Sequence, residues 1–480
     1  MHRHRGLLLA PLALAGCAQL FGIDTTTGAD AGNGVSLRVQ RVSVGASVIK
    51  GPQDLTGQTA DFLVGDATGI VRNTAVIAGP GTWTADIASG TPPALFTLPD
   101  LPMTAHHLWA LPSRDMRGNL IAFEHPNSTP PGASSQLALN VTLPAPYTTE
   151  TLMVFAVGAW MHHTLAGAEI PAAMATTVNP TIPYSSFVPV LSTITPARIT
   201  ASDVVLVLRY VGADLTGVLQ ATQFDQTDAT DPVSGTMVAV AHDKMLDIPL
   251  PTDLAQRYAA VRPAVGAPSV SWNLSAAPGA TVGIALGPQL LSGVPAMADT
   301  AVTAMFGDPF ESLGWPATFN LNTSASRTAM INAIPVSLTA QMTTFVDASA
   351  TAAPLDAGLP TTILVGTTQL NTDGQMLAID TTKPVEISFL SDKSTNTLYQ
   401  ATIYELVLNG MAYDRQLVLD AVGTDPKFDI PSDLMTSGHT YVIRAGCIQG
   451  GFTMAASGDL ESPSFPLSFG QLDSGVFTVQ

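Results

Sequence analysis

The side chains that could bind zinc fall into three short stretches. Two histidine pairs, His106-His107 and His162-His163, and the stretch Glu124-His125 carry nitrogen ligands of the kind that zinc accepts. Adjacent residues of a strand point to opposite faces, so one pair alone cannot chelate an ion, and zinc needs several ligands that converge. We therefore interpret these histidines as residues of loops or strand edges.

Three aspartates, Asp225, Asp228 and Asp231, lie together in a loop-like stretch. Calcium takes about six to eight oxygen ligands, and these carboxylates could supply some of them. The spacing is not that of an EF-hand, and the stretch has no glycine for the turn. We favour a solvated acidic loop. Calcium is the one cofactor that the sequence leaves open, and otherwise it predicts none.

Aromatic residues could instead bind a sugar by stacking. The segment Phe306 to Phe310, followed by Gly314-Trp315-Pro316, places aromatic rings in a turn-rich context. Phe310 and Trp315 are therefore the candidates for a ligand platform. Tryptophans of β-sandwiches are more often part of the core, and burial is the competing interpretation.

Motifs of the common enzyme classes are missing from the sequence. It contains no Gly-x-Ser-x-Gly elbow, His-Glu-x-x-His motif, glycine-rich phosphate loop or Cys-x-x-Cys pair. We predict a protein that is not an enzyme. The two cysteines are Cys17 and Cys447. Free cysteine is among the most buried residue types, so Cys447 is predicted to be a small buried side chain.

The N-terminus has the order of a secretory signal. A basic start at residues 2–5 precedes the apolar run Leu7 to Ala15, which is about half of the roughly twenty residues that a membrane-spanning helix needs. The run ends in Leu14-Ala15-Gly16-Cys17. This arrangement resembles the lipobox of bacterial lipoproteins. The resemblance implies that residues 1–16 are removed and that Cys17 becomes the lipid-bearing first residue of the mature chain.

The same resemblance implies a location in the cell envelope. Members of that family carry more than one acyl chain, which makes a stable anchor where a single chain does not. Asp after the cysteine favours retention in the inner membrane, and this chain has Ala18 there, so the outer membrane is expected. Two alternatives stay open: an ordinary signal peptide that has Cys17 near its cut, and a cytosolic protein with a buried apolar N-terminus.

Composition favours a β-rich protein with an acidic surface. Only 12% of the 480 residues are charged, while 46% are hydrophobic. Polarity comes mainly from Thr, Ser, Asn and Gln, which suit the surfaces of sheets better than those of helices. The net charge of −18 would repel a phosphate backbone, so we expect no nucleic-acid partner.

The pattern along the chain predicts an all-β fold of several tandem β-sandwich domains, of the immunoglobulin or fibronectin kind. Val35, Leu37 and Val39 alternate with polar residues, and similar short segments recur between Gly- and Pro-rich turns. The best short helix is Asp253 to Val261. The predicted units are a signal peptide (1–16), a flexible tether (17–34), a β-sandwich (35–147), two β-rich domains (148–264 and 265–373) and a C-terminal sandwich (374–480).

The last unit resembles fibronectin type III domains. Leu434, Gly438 and the segment Tyr441 to Ala445 match the approach to the tyrosine corner of that family. The resemblance implies that the Tyr441 ring fills the core while its hydroxyl bonds to backbone upstream. Two positions depart from the family. Leu434 lies one residue too far from the tyrosine, and Phe389 stands where a tryptophan is expected.

Together these observations predict an exported, lipid-anchored envelope protein with a scaffold, adhesion or ligand-presenting role. Its expected partners are the membrane, through the lipid on Cys17, and a protein or glycan ligand. The alternative function is that of a carbohydrate-binding protein, or of a secreted hydrolase whose site is built from dispersed residues.

Overall fold

The computed structural model describes residues 34–66, 69–98, 106–122, 132, 135–190, 197–221, 224–279, 286–296, 299–349, 356–380, 382–452, 454–461 and 463–480. Cys17, the predicted tether before Gly34 and the stretch Glu124-His125 lie outside these residues.

Strands whose side chains are buried alternately make up most of the regular structure. In β1 (Gly34–Val44), Val35, Leu37 and Val39 are at most 1% exposed, while Ser36 and Arg38 are partly exposed. Side chains of a strand point alternately to its two faces, so residues 35–39 bury one face. Towards the end of the strand the opposite face is buried as well, because Val42 and Val44 are 0% exposed. The predicted all-β, sandwich-like class is confirmed.

The strands of the first half of the chain after β1 are β2 (Val48–Pro52), β3 (Ala60–Asp66), β4 (Gly69–Thr74), β5 (Val76–Gly79), β6 (Thr82–Asp86), β7 (Ala94–Thr97), β8 (His106–Ala110), β9 (Asp115–Ala122), β10 (Gln136–Thr142), β11 (Thr151–Val157), β12 (Met161–Thr164), β13 (Thr177–Val178), β14 (Thr181–Pro183), β15 (Val188–Pro189), β16 (Val204–Val211), β17 (Asp214–Gln220), β18 (Thr230–Thr236) and β19 (Val238–Ala239).

The strands of the second half are β20 (Lys244–Pro249), β21 (Ser269–Ala276), β22 (Gln289–Gly293), β23 (Ala301–Phe306), β24 (Ala317–Ile331), β25 (Ile334–Asp347), β26 (Pro360–Val365), β27 (Thr368–Gln369), β28 (Gln375–Leu377), β29 (Val385–Ser391), β30 (Leu398–Asn409), β31 (Ala412–Gly423), β32 (Lys427–Ile430), β33 (Thr440–Gly450), β34 (Leu467–Asp473) and β35 (Phe477–Val479).

Helical structure in the described part of the chain is slight. The predicted helix at Asp253 to Val261 is confirmed as α1 (Leu254–Ala260), which buries Leu254, Arg257 and Tyr258. The remaining helical segments are single 3₁₀ turns, at Gly167–Glu169, Tyr184–Ser186, Glu311–Leu313, Ser432–Leu434 and Ala455–Ser457.

One large sheet of fourteen strands joins distant parts of the chain. Its order is β22-β21-β24-β25-β34-β33-β30-β31-β8-β7-β3-β4, with β28 and β35 pairing beside β33. The parallel pair of β8 and β31 sets His107 opposite Asp420, and the antiparallel pair of β25 and β34 sets Phe345 opposite Leu467. The predicted units 35–147, 265–373 and 374–480 therefore all contribute strands to this sheet. Their boundaries stay predictions.

Smaller sheets complete the architecture. The N-terminal sheet has the order β2-β1-β6-β5, with β9 parallel to β1 on its other side. The middle of the chain forms a four-stranded sheet around β10 and a six-stranded sheet of order β15-β12-β11-β16-β17-β19. A two-stranded sheet pairs β20 with β23.

Near the C-terminus, a four-stranded sheet packs on the large sheet. Its order is β27-β26-β29-β32. Ile363, Ile387 and Phe428 from this sheet belong to the same buried cluster as Ile403 and Cys447 from the large sheet. Two sheets that bury apolar faces against each other form a sandwich.

Tyr441 makes the contacts that the C-terminal resemblance implied. Its side chain is 1% exposed and packs on Phe477, with 5.9 Å between the ring centroids. The backbone N–H of Thr436 donates a hydrogen bond of 2.8 Å to the Tyr441 hydroxyl. Such a bond ties the turn before β33 to the strand itself.

Candidate functional site

A cleft of about 520 Å³ lies between the middle sheets and the segment that follows β23. The strands β17 and β19 line one side. The residues that line the other side are Val240, Ala241, Asp243, Lys244, Asp308, Pro309 and Glu311. The Gln220 side-chain amide donates a 3.2 Å hydrogen bond to the Pro309 carbonyl and so bridges the two sides. This volume falls in the range of pockets that take small molecules.

Close backbone packing shapes the second side of the cleft. Lys244 opens β20 and pairs with Phe306 at the end of β23. A Cβ at Gly307 would lie 2.2 Å from the carbonyl oxygen of Ala241, so only glycine allows the chain to pass there. The chain then turns, which places Asp308 and Glu311 at the cleft.

The charged groups of the cleft centre on one lysine. The Lys244 Nζ lies 2.9 Å from Glu311 Oε2 and 3.8 Å from Asp308 Oδ2. The hydrogen bond to Glu311 raises the pKa of Lys244, so the lysine stays charged. Asp243 also lines the cleft, so acids outnumber the lysine.

The carboxyl group of Asp308 is the most buried of these charged groups. Its side chain is only 4% exposed, and burial raises its pKa. The backbone N–H of Phe310 donates to its Oδ1 at 3.1 Å. A buried carboxylate next to an ammonium group can orient a polar ligand, because its position is set by the surrounding chain.

The two aromatic candidates do not line the cleft. Phe310 is 0% exposed and Trp315 is 3% exposed, with 5.7 Å between their ring centroids. The Trp315 indole N–H donates to the carbonyl of Ala46 at 3.2 Å. The interpretation of these rings as a sugar platform is corrected: both are core residues, because an aromatic face must be exposed to stack on a sugar.

The three aspartates of the predicted acidic loop are each bound to a different part of the protein. Asp225 accepts from the Ala201 N–H at 2.8 Å, and Asp228 pairs with Arg198 at 2.6 Å.

The third carboxylate, that of Asp231, is buried. It accepts from the hydroxyls of Thr227 at 2.7 Å and Tyr184 at 3.4 Å. Within the described ranges, no group of three or more His, Cys, Asp or Glu residues is placed to hold a metal ion. The favoured interpretation, a solvated acidic loop, describes Asp225 and Asp228, which are exposed, but not the buried Asp231. Calcium binding by these aspartates stays a prediction.

The histidine pairs lie on separate strands, as residues of β8 and β12. His107 is 2% exposed, and burial followed by the neighbouring His106 lowers its pKa to about 4. Its ring packs on Phe96 with 5.3 Å between the centroids. His163 Nε2 lies 2.8 Å from Glu169 Oε2. Each pair thus contributes to local packing.

Cys447 is buried, as predicted. It is 0% exposed, and burial raises the pKa of its thiol to about 12. We expect no reaction with Ellman's reagent at pH 8 in a folded Cys17→Ser chain, in which Cys447 is the remaining cysteine. After unfolding in urea the same chain should react fully. Fast labelling of the folded chain, measured against free glutathione, would contradict this expectation.

The polar residues of the cleft were not predicted from the sequence. The segment around Asp308 attracted attention for its rings, whereas in the structure the rings are buried and Asp308 and Glu311 line the cleft. The signal was present in the order Asp308-Pro309-Phe310-Glu311, in which a proline turn separates two acids. Nothing in the local pattern pointed to Gln220 or Lys244.

Comparison with known proteins places the chain in no family. No protein-family model matches it, and no curated protein matches it. One solved structure that it resembles is the crystal structure of a tetra-tandem repeat in the extending region of a large adhesion protein. The alignment covers 92% of this chain and 99% of that one, at 11% identity and a TM-score of 0.14. A TM-score this low does not establish a shared fold. Over the described residues, no helix is long and apolar enough to cross a membrane.

Proposed function

We propose that this protein is an exported lipoprotein of the cell envelope, with a non-catalytic role as a scaffold, adhesin or ligand-presenting protein. The observation that carries the proposal is the tetrad Leu14-Ala15-Gly16-Cys17 at the end of a basic and apolar leader. Ala18 after the cysteine favours the outer membrane.

The segment that follows the cysteine supports an anchor. Residues 18–34 are mostly small and polar, and the first strand begins at Gly34. A flexible chain of this length has an end-to-end distance of about 20–25 Å, at roughly 5–6 Å times the square root of the residue number. The β-rich body would thus stand clear of the lipid headgroups, and its acidic surface would be repelled by anionic lipid.

Metabolic labelling with an alkyne fatty acid tests the anchor. We expect the parent chain to take up the label and to fractionate with membranes, and we expect Cys17→Ser to lose both properties, because the thiol is the site of acylation. Cys447→Ala is the matched control and should keep the label, since Cys447 is buried. An unlabelled parent chain, or a parent that keeps residues 1–16 in the cytosol, would reject the proposal.

A second candidate function, carbohydrate binding, is favoured by the cleft. Its volume of about 520 Å³ and its polar groups Gln220, Lys244, Asp308 and Glu311 suit a small glycan held by hydrogen bonds.

A glycan array with the full chain tests this candidate. Lys244→Met and Asp308→Asn should each weaken binding by about tenfold or more, because each removes a charge-assisted hydrogen bond. Lys427→Met, which removes an exposed lysine paired with Glu386, is the control and should bind as the parent does. Binding that survives both cleft substitutions would place the glycan elsewhere, and release of shortened glycan would favour the hydrolase alternative.

A further inference from the structure

Three polar side chains near β9 have buried atoms without hydrogen-bond partners, although Gln40 as a whole is partly exposed. The unpaired atoms are Gln40 Oε1, both amide atoms of Asn119 and both carboxylate oxygens of Glu461. Asn119 and Glu461 are each 0% exposed. Buried polar groups are nearly always paired, and an unpaired carboxylate is the costliest kind, so five such atoms in one place require an explanation.

Backbone pairing brings these three residues side by side. In the parallel pair of β1 and β9, Gln40 lies opposite Asn119. On the other edge of β9, Arg117 forms a parallel bridge with Asp459, and the Leu460 N–H donates to the Arg117 carbonyl at 3.0 Å. Asn119 and Glu461 each follow this bridge by two residues, so they occupy matching positions on the two segments.

All three side chains lie on the same face. Met116, on β9, and Leu460, next to Glu461, are at most 2% exposed and belong to one apolar cluster. A Cβ at Gly118 would lie 2.2 Å from the Trp109 ring, so the core also presses on this face of β9. Because side chains alternate between faces, Gln40, Asn119 and Glu461 lie on the opposite face.

The charges around Glu461 do not neutralise it. Burial, and after it the nearby Asp459, raise the pKa of Glu461 to about 8, whereas Arg117 and Arg38 lower it less. Arg117 is already engaged: its Nε lies 2.8 Å and its Nη2 2.5 Å from Asp115 Oδ2. With Glu461 ionised, the three carboxylates of the cluster outnumber its two guanidinium groups.

We propose that Gln40, Asn119 and Glu461 form a binding site for a metal cation ligated by oxygen, and that calcium is the ion it takes. The residues offer four side-chain oxygens and no sulfur or imidazole ligand, which is the donor chemistry of hard cations. Waters and carbonyl groups would complete the coordination. Calcium tolerates the irregular geometry of such a set better than magnesium does.

The site differs in kind from a cluster of acids. Two of its three ligating residues, Gln40 and Asn119, are neutral amides. The proposal is therefore compatible with the finding that the described residues hold no group of three or more His, Cys, Asp or Glu placed to bind a metal ion. A single water would not pair these atoms, because one water donates two hydrogen bonds and the site has four side-chain acceptors.

Thermal unfolding of the full chain after EDTA treatment tests the proposal, with equilibrium dialysis of calcium as a second readout. We expect calcium to raise the unfolding midpoint of the parent by roughly 2 °C or more at saturation. In Glu461→Gln the calcium response should vanish. At pH 9, above the raised pKa of Glu461, the calcium-free midpoint of this variant should also exceed that of the parent, because a buried charge has been removed. Asn119→Asp should do the reverse: a lower calcium-free midpoint and tighter calcium binding.

Two controls keep the result specific. Glu386→Gln removes an exposed carboxylate and should respond to calcium as the parent does. Asp228→Asn alters the acidic loop and should also respond normally. The proposal is overturned if the parent shows no calcium uptake, or if Glu461→Gln keeps the full response. It is equally overturned if acidification from pH 9 to pH 7 stabilises the EDTA-treated parent and calcium does not, since a proton would then be the occupant.

Discussion

Replacing Asp473 with alanine is expected to lower the free energy of unfolding by about 3–5 kcal/mol, the usual cost of breaking a buried ion pair. The Asp473 carboxylate is fully buried. It accepts from Arg444 Nε at 2.8 Å, from Arg415 Nη2 at 2.9 Å and from the Thr339 N–H at 2.9 Å. Four strands of the large sheet thus meet at one carboxylate. Its loss leaves two guanidinium groups without their shared partner.

Urea unfolding followed by circular dichroism measures this effect. Asp433→Ala is the matched control, because Asp433 also pairs with an arginine, Arg72, at 2.7 Å, but its side chain is 66% exposed. That control should lose no more than about 1 kcal/mol. Equal losses in the two variants would show that burial of the pair does not determine its contribution.

The ion pairs of Asp473 also predict how the free energy of unfolding falls at acidic pH. Burial alone would raise the pKa of Asp473, but Arg444 and Arg415 outweigh burial and hold it well below its ordinary value of 3.8. A carboxylate with a lowered folded-state pKa stabilises the fold above pH 4, and this contribution is lost as the pH falls through the lowered value. Below pH 4, the stability of Asp473→Ala should therefore fall less steeply than that of the parent.

Truncation of Trp160 to alanine is expected to cost about 3–5 kcal/mol, as for other buried large aromatic residues. Trp160 is 0% exposed and lies in the turn between β11 and β12. Its indole N–H donates to the Val44 carbonyl at 2.5 Å, and its ring belongs to the cluster that contains Val42 and Leu206. The substitution would therefore open a cavity where β1 meets the middle sheets.

Two variants separate packing from hydrogen bonding at this position. Trp160→Phe keeps most of the volume but loses the N–H donor, so the Val44 carbonyl is left unpaired at a cost of about 1–3 kcal/mol. Trp272→Ala removes a partly exposed tryptophan from β21 and should cost less than Trp160→Ala. If Trp160→Ala unfolds in urea at the same midpoint as the parent, the contact between β1 and the middle sheets is not a stabilising one.

Local pattern predicted the elements well. The alternation of Val35, Leu37 and Val39 matches the buried face of β1, and the short helix occurs as α1. The hydroxyl of Tyr441 bonds to backbone upstream, as the C-terminal resemblance implied. These features depend on residues that are close in sequence, so the periodicity of a short segment contains the information.

Pairing between distant strands could not be predicted in this way. β8 and β31 pair in parallel although more than 300 residues separate His106 from Leu419. In both strands side chains alternate between the two faces in the ordinary manner. This alternation predicts which face of a strand is buried, but it does not identify the strand that pairs with it. Two of the predicted boundaries, near residues 147 and 264, lie at proline-rich breaks. Such breaks mark where elements end, whichever sheet the elements later join.

The candidate sites likewise depend on features that the sequence does not predict and that only the folded structure shows. Polar residues are expected at the surface, so nothing in the sequence marked Asn119, Glu461 or Asp473 as buried. In the segment that ends at Trp315, the chain turns instead of alternating, and periodicity could not say which side chains face inward. The structure buries Phe310 and Trp315 and places Asp308 at the cleft.

The sequence by itself determined that the chain forms short strands, and it predicts an export and lipidation signal that ends at Cys17. A signal peptide is recognised as a linear stretch, and a strand follows from the alternation of its own side chains, so both are local properties. Only the tertiary structure decided which strands share a sheet, and which polar groups lose contact with water. The burial of Glu461 and of Asp473 depends on neighbours that are far away in sequence. These neighbours surround the two carboxylates only when the chain has folded.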